Sequence, residues 1–200
     1  AIEQHGQTLT IKLVLPFAGQ TLFEQMKEAF DAHIRAATGA AIVDWQCDIE
    51  VASMPRAQQL AAVQGIRNIL VVASGKGGVG KSTTAVNLAL ALQKEGARVA
   101  ILDADIYGPS IPTMMGTLKE RPHSLDGKLM EPVMACGLKT NSIGYLVAEQ
   151  DATIWRGPMA SKALAQILHE TRWGEVDYLV VDMPPGTGDI QLTLAQQVPT

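Results

Sequence analysis

Hydrophobic and polar positions alternate along the first stretch of the chain. Leu9, Ile11, Leu13 and Leu15 point one way, with Thr10, Lys12 and Val14 between them, the period of a half-buried strand. Pro16 and Gly19 punctuate it. Leu22, Met26, Phe30 and Ile34 then recur at the spacing of an amphipathic helix whose inner stripe they would form. Gly39 ends that helix, and residues 42–51 alternate again as a strand. Strand, helix and strand predict a small α/β accessory domain over residues 1–52. Residues 53–66, with Pro55, Gln58, Gln59 and Gly65, have the polar, punctuated character of a linker.

From Asn68 the pattern changes. Ile69, Leu70, Val71, Val72 and Ala73 run apolar without alternation, as do Val99–Leu102 and Tyr178–Val181. Such runs predict strands of a parallel sheet covered by helices on both faces. Between the first two, residues 82–95 are apolar nearly all round, through Ala85, Val86, Leu88, Ala89, Leu90, Ala91 and Leu92. That predicts a buried helix, stopped by Gly96. Strand, glycine loop, helix and strand open a doubly wound parallel sheet, here over residues 67–200. The first residues lead almost at once into a strand, and the last follow a helix-like segment where an open sheet would continue. Both domains are therefore expected to be incomplete at their outer ends.

Composition narrows the function classes. The chain is 47% hydrophobic and 18% charged, below the usual charged share of about a quarter, as for a core-rich globular protein. A net charge of −4 offers no basic footprint for nucleic acid or anionic lipid. No apolar run approaches the roughly 18 residues of a membrane span. Cys47 and Cys136 cannot build a disulfide framework, so a reduced, cytoplasmic setting is the simplest expectation.

The glycine loop carries the chemistry. Gly75-Lys76-Gly77-Gly78-Val79-Gly80-Lys81-Ser82 satisfies the Walker A pattern. Glycines let successive backbone N–H groups wrap a polyphosphate, and a helix beginning near Ser82 aims its positive end at the anion. Lys81 would reach the β- and γ-phosphates of ATP and the Ser82 hydroxyl would ligate Mg²⁺, with Thr83 near the α-phosphate. Gly75, Gly77 and Gly80 also spell a dinucleotide fingerprint, with Asp103 at a second strand's end. Lys81-Ser82 directly after the last glycine decides for the phosphate loop, because a dinucleotide site has no use for them. Asp182 closes the apolar strand Tyr178–Val181 in the Walker B manner and becomes a second Mg²⁺ candidate. A strand-end Asp can also simply cap the next turn. Pro184-Pro185-Gly186-Thr187-Gly188 then forms a turn placed to sense a γ-phosphate.

Lys76 makes the loop unusual. Lys-Gly-Gly-x-Gly-Lys-Ser resembles the signature-lysine ATPases, among them ParA, MinD, the nitrogenase iron protein and the arsenite-pump ATPases. Three further segments resemble the Mrp/ApbC family of iron–sulfur cluster carriers: Leu102–Pro112, Trp155-Arg156-Gly157-Pro158-Met159, and Asp182–Asp189. The resemblance covers residues from Asn68 onward. It implies ATP binding, slow hydrolysis, a homodimer, and transfer of an iron–sulfur cluster, expected to be [4Fe-4S], to apo-proteins. It also implies that Lys76 crosses the dimer interface to the partner's nucleotide, the alternative being a solvated loop lysine. Asp105 would orient the attacking water, with Asp103 supporting its loop and the magnesium shell. Residues 1–52 resemble a small iron–sulfur assembly domain. Pro16-Phe17-Ala18-Gly19 stand where related domains often place a cysteine, so no cluster chemistry is expected there.

One departure matters. The family's cluster sits on a Cys-x-x-Cys pair, which this stretch lacks, so the cluster ligands are expected outside it. Cys47 and Cys136 read as small structural residues. The four histidines show no ligand spacing. Met114, Met115, Met130 and Met134 read as packing residues. Two other functions stay open on the same scaffold: a positioning switch acting on DNA or membrane, and a nucleotide-dependent ligase.

Overall fold

The computed structural model describes residues 1–55, 63–146 and 157–186. Its contacts divide the chain into two units, Ala1–Ala52 with Leu92–Ala97, and Ser53–Ala91 with Arg98–Thr200.

The first unit holds β1 (Ile2–His5), β2 (Thr8–Leu15), α1 (Gln20–Thr38) and β3 (Ile42–Ile49). The sheet order is β1-β2-β3, with β1 antiparallel and β3 parallel to β2. Leu9, Ile11 and Leu15 are buried as the alternation predicts, and Gly39 closes α1 in the left-handed conformation. β1 gave no sequence signal, since all four of its residues are exposed.

The inner stripe of α1 matches the expected one only in part: Ile34 packs against the core and Met26 is half-buried. Leu22 and Phe30 are exposed, and the buried residue is Phe23. The helix turns instead around Trp45 of β3. Phe23 meets its ring edge-on at 6.5 Å between centroids, and its indole N–H donates to Asp31 at 3.0 Å. Asp31 also receives Arg35 at 2.6 Å. A tryptophan needing both an aromatic neighbour and a polar acceptor outweighs a stripe of four apolar side chains.

The second unit contains β4 (Ile66–Val72), α2 (Lys81–Lys94, whose residues 92–94 count with the first unit), β5 (Val99–Asp103), α3 (Ile111–Met114), β6 (Val133–Ala135), β7 (Leu138–Ser142), α4 (Ile143–Leu146), α5 (Gly157–His169) and β8 (Val176–Asp182). The sheet order is β4-β8-β5-β7-β6, all neighbours parallel except the β6–β7 hairpin. The chain runs outward from β4 through β5 to β7, then returns to insert β8 between β4 and β5. This is the α/β phosphate-loop sheet that the apolar runs predict. β5 is wholly buried and β8 nearly so. β4, at the sheet edge among the described residues, is only half-buried toward its end. One face packs Ala100, Leu102, Leu179 and Val181 against Leu164, Ile167 and Leu168 of α5, with Trp173 at its rim.

Two further expectations change. α2 is not buried all round: Ala85, Val86 and Ala89 are, whereas Ala91 is exposed and Leu88, Leu90 and Leu92 are half-buried. Cys136 is no packed structural residue either. It is exposed at the β6–β7 turn, and Met114 and Met134 are exposed as well.

At that turn Cys136 and Gly137 both have positive φ, 50° and 78°, the requirement of a type I′ hairpin loop. Only glycine or asparagine adopts it cheaply. Cys136→Asn is therefore expected to raise the unfolding free energy by roughly 0.5–1 kcal/mol in urea titration.

Candidate functional site

Parallel pairing aligns four strand ends in one row. Val72 pairs with Asp182, Asp182 with Asp103, and Asp103 with Ser142. Loops leave the carboxyl edge of the sheet from this row, the place where open α/β folds bind ligands. Along β5 and β8 the side chains of Asp103 and Asp182 point away from the face covered by α5.

The loop from β4 enters α2 through two glycines with positive φ, Gly78 at 74° and Gly80 at 85°. A side chain there would strain the backbone, whereas Gly75 and Gly77 have φ in the ordinary range and open space. At the head of α2 the Lys81 ammonium donates to a carboxylate oxygen of Asp182 and lies 3.5 Å from that of Asp105. Its side chain is 7% exposed. The Ser82 hydroxyl lies 3.4 Å from the same ammonium. The structure thus brings Lys81, Ser82, Asp105 and Asp182 together. Gly77, Gly78, Gly80 and Thr83 line the same pocket of about 320 Å³ with Ser74, Gly108, Ser110, Met114 and Pro185. Gly75, Lys76 and Val79 are exposed beside it. Among the described residues the Lys76 ammonium has no ion pair or hydrogen bond.

Asp103 holds the facing loop. One carboxylate oxygen accepts Asp105 N at 3.1 Å; the other accepts Ile111 N at 3.1 Å and the Ser142 hydroxyl at 3.0 Å. Burial pushes its pKa up to about 7, against these three hydrogen bonds, and the Asp182 charge adds to the rise. Asp105 continues the clamp, one oxygen accepting Tyr107 N and Gly108 N at 3.3 Å each. Asp103 thus ties this loop to the sheet. Ser142 and Ser110 were not singled out. Ser142 is found only through sheet order, whereas Ser110 sits within the Tyr-Gly-Pro-Ser run.

A magnesium ion takes hard oxygen ligands, one or two of them carboxylates, and keeps several waters. The other Asp182 oxygen is buried without a hydrogen-bond partner among the described residues. A carboxylate oxygen left unpaired, on a residue whose partner Lys81 also lies by the Ser82 hydroxyl, fits such an ion. No group of three or more His, Cys, Asp or Glu with metal-holding geometry occurs among the described residues. Cys47 and Cys136 fall in different units. Thr187, Gly188, Asp189, Trp155 and Arg156 lie outside the described residues.

Residues 65–200 match the ParA family model described as the NUBPL iron-transfer P-loop NTPase. The chain belongs to this family. The iron-sulfur cluster carrier protein of Escherichia coli K12 is 59% identical over 192 residues, covering 96% of this chain and 52% of the relative. That of Haemophilus influenzae is 57% identical over 198 residues, covering 99% and 54%. The chain thus spans about half the length of the curated relatives it matches. A nucleotide-binding protein from Archaeoglobus fulgidus, solved with ADP and cobalt, shares 40% identity and a TM-score of 0.59 over 68% of this chain and 51% of its own. This P-loop NTPase has no helix among its described residues long and apolar enough to cross a membrane.

The Asp103 clamp can be tested without nucleotide. Asp103→Ala leaves two loop amides and a buried hydroxyl without their acceptor, at about 1–3 kcal/mol for each group left unsatisfied. The loss is offset in part by removing a desolvated carboxylate. A net destabilisation of about 2–4 kcal/mol is expected in urea, with faster hydrogen exchange at Asp105 and Ile111.

Proposed function

We propose that this chain is the nucleotide-driven part of an iron–sulfur cluster carrier. It binds ATP with magnesium, hydrolyses it slowly as a homodimer in the cytoplasm, and thereby governs transfer of a [4Fe-4S] cluster to apo-proteins. The observation that carries the reading is the convergence of Lys81 with Asp105 and Asp182, the second of which has its other oxygen unpartnered. The names of the relatives supply the cargo.

Gly75 to Gly80 wrap the phosphates with backbone N–H groups, and Lys81 meets the β- and γ-oxygens. The carboxylates it already touches are chemical stand-ins for those anions. Ser82 and Asp182 would hold the magnesium. Bound there, the ion supplies positive charge against the charge developing on the transferred phosphoryl group. Asp105 orients the attacking water from a loop whose backbone its own carboxylate helps to fix. Thr83 contacts the α-phosphate. Lys76, exposed and without a partner among the described residues, reaches the nucleotide of a second copy. Cys47 and Cys136 offer two thiolates per chain and stand outside any Cys-x-x-Cys pair, whereas a cluster commonly takes four. The cluster, as cargo, is then held by cysteines elsewhere in the protein, at the dimer interface.

Two measurements on the full-length protein test the motor. Lys81→Ala is expected to weaken ATP binding roughly 10–100-fold by calorimetry. Asp105→Ala is expected to keep ATP affinity and lose turnover by about 10²-fold or more. Unchanged affinity in the first, or wild-type hydrolysis in the second, removes the residue from its role.

The role of Lys76 rests on dimerisation. Specific activity should rise with protein concentration through the monomer–dimer transition. Lys76→Ala should lose roughly 10³ in rate while binding ATP normally, the lower end of what a charge supplied in trans contributes. Constant activity per monomer on dilution would place Lys76 outside the reaction.

A further inference from the structure

One hydroxyl in the pocket has no employment in the fold. Ser110 lines it with Lys81, Ser82 and Asp105, yet its Oγ is buried with no hydrogen-bond partner among the described residues. Serine before a short helix ordinarily accepts an amide from the first turn. Here Ser110 makes no such cap to α3. Ile111 N is already taken by Asp103, and the next residue, Pro112, has no N–H to give. The backbone around Ser110 is nevertheless held on both sides. Pro109 before it fixes φ and packs against Gly144, where an added Cβ would come within 2.9 Å of the proline ring. Ile111 after it is tied to Asp103, and Ser110 O receives Met114 N at 3.0 Å. A chain position so constrained, carrying a donor with nothing to bind, is preorganised for a partner that the fold does not contain.

We infer that Ser110 is a positioning residue for the terminal phosphate, its hydroxyl donating to a γ-phosphate oxygen of the bound nucleoside triphosphate. This rests on the ATP reading above and deepens it. The residue itself is only half-buried and faces the pocket, so a turn about χ1 between staggered positions carries Oγ from its unbonded place to the pocket side. No hydrogen bond is broken in that turn, because none is made. The γ end is singled out by the loop to which Ser110 belongs. That loop carries Asp105, which approaches the tip of Lys81, the group that reaches the β- and γ-phosphates. The diphosphate would be held by the glycine loop and the head of α2, chain segments separate from the one that carries Ser110. Ser110 therefore distinguishes triphosphate from diphosphate.

The test compares wild type, Ser110→Ala and Ser110→Thr in the full-length protein. Calorimetry measures binding of ADP–Mg²⁺ and of a non-hydrolysable ATP analogue with Mg²⁺, and thermal unfolding is followed without nucleotide. Ser110→Ala is expected to bind the analogue about tenfold more weakly, one hydrogen bond to a charged oxygen. Affinity for ADP and the nucleotide-free melting temperature should stay at wild-type values, and Ser110→Thr should restore analogue affinity. Equal losses for ADP and analogue, no loss for either, or a lowered melting temperature in Ser110→Ala would each overturn the assignment. Lys81→Ala separates the two levels of inference. If it abolishes binding of both nucleotides while Ser110→Ala changes nothing, only the Ser110 role falls. If wild type binds neither nucleotide, the ATP reading falls and the Ser110 role with it.

Discussion

Two carboxylates sit side by side in the sheet, Asp103 on β5 and Asp182 on β8, both out of contact with water. Like charges at adjacent buried positions are costly, and the fold accommodates them differently. Asp182 is met by the ammonium of Lys81. Asp103 is met by two backbone amides and a hydroxyl, with its pKa still pushed up to about 7 by burial. Those two sets of partners connect everything at the carboxyl edge. Lys81 ties the glycine loop to β8, and Asp103 ties the facing loop to β5 and β7.

The sequence reading reached the core of this arrangement for a physical reason. Glycines needing positive φ, a lysine–serine pair behind them and an apolar strand ending in a carboxylate are local signals, each confined to a few residues. Gly78, Gly80, Lys81, Ser82 and Asp182 were legible in that way, and Asp105 only through the family resemblance. Ser142 was not, because its role follows from β7 lying next to β5, a neighbour set by the whole sheet. Ser110 stood in view within a quoted motif, but only the geometry shows that its hydroxyl goes unused. The signature lysine is legible only as a type: the structure shows that it is exposed and gives its ammonium no partner among the described residues.

The misreadings share a cause as well. Helical periodicity counts apolar letters and gives no weight to a polar group that must be satisfied. In α1 that count was right for Ile34, which packs against the core, but also chose Leu22 and Phe30, which are exposed, while the demands of Trp45 turned Phe23 and Asp31 inward. In α2 it foresaw burial on every side of a helix that buries chiefly small residues, Ala85 and Ala89 with Val86. At Cys136 residue type suggested packing, whereas the β6–β7 turn required a left-handed backbone at a site open to solvent.

Charge explains why the pocket suits a divalent cation carried with polyphosphate. Among the described residues Lys81 is the one cation paired with these acids, through Asp105 and Asp182, so they outnumber it. The upward shift of Asp103 relieves part of that excess by favouring a proton there. A polyphosphate alone would add more negative charge and compete with the carboxylates for the one lysine. A hard cation held by Ser82 and the unpaired Asp182 oxygen would reverse the balance and leave Lys81 free to meet phosphate. Nucleotide and metal are on this argument coupled ligands, each making room in the electrostatics for the other. The loop of Asp105, whose acid faces the same ammonium, is the part of the structure that this exchange of partners reaches first.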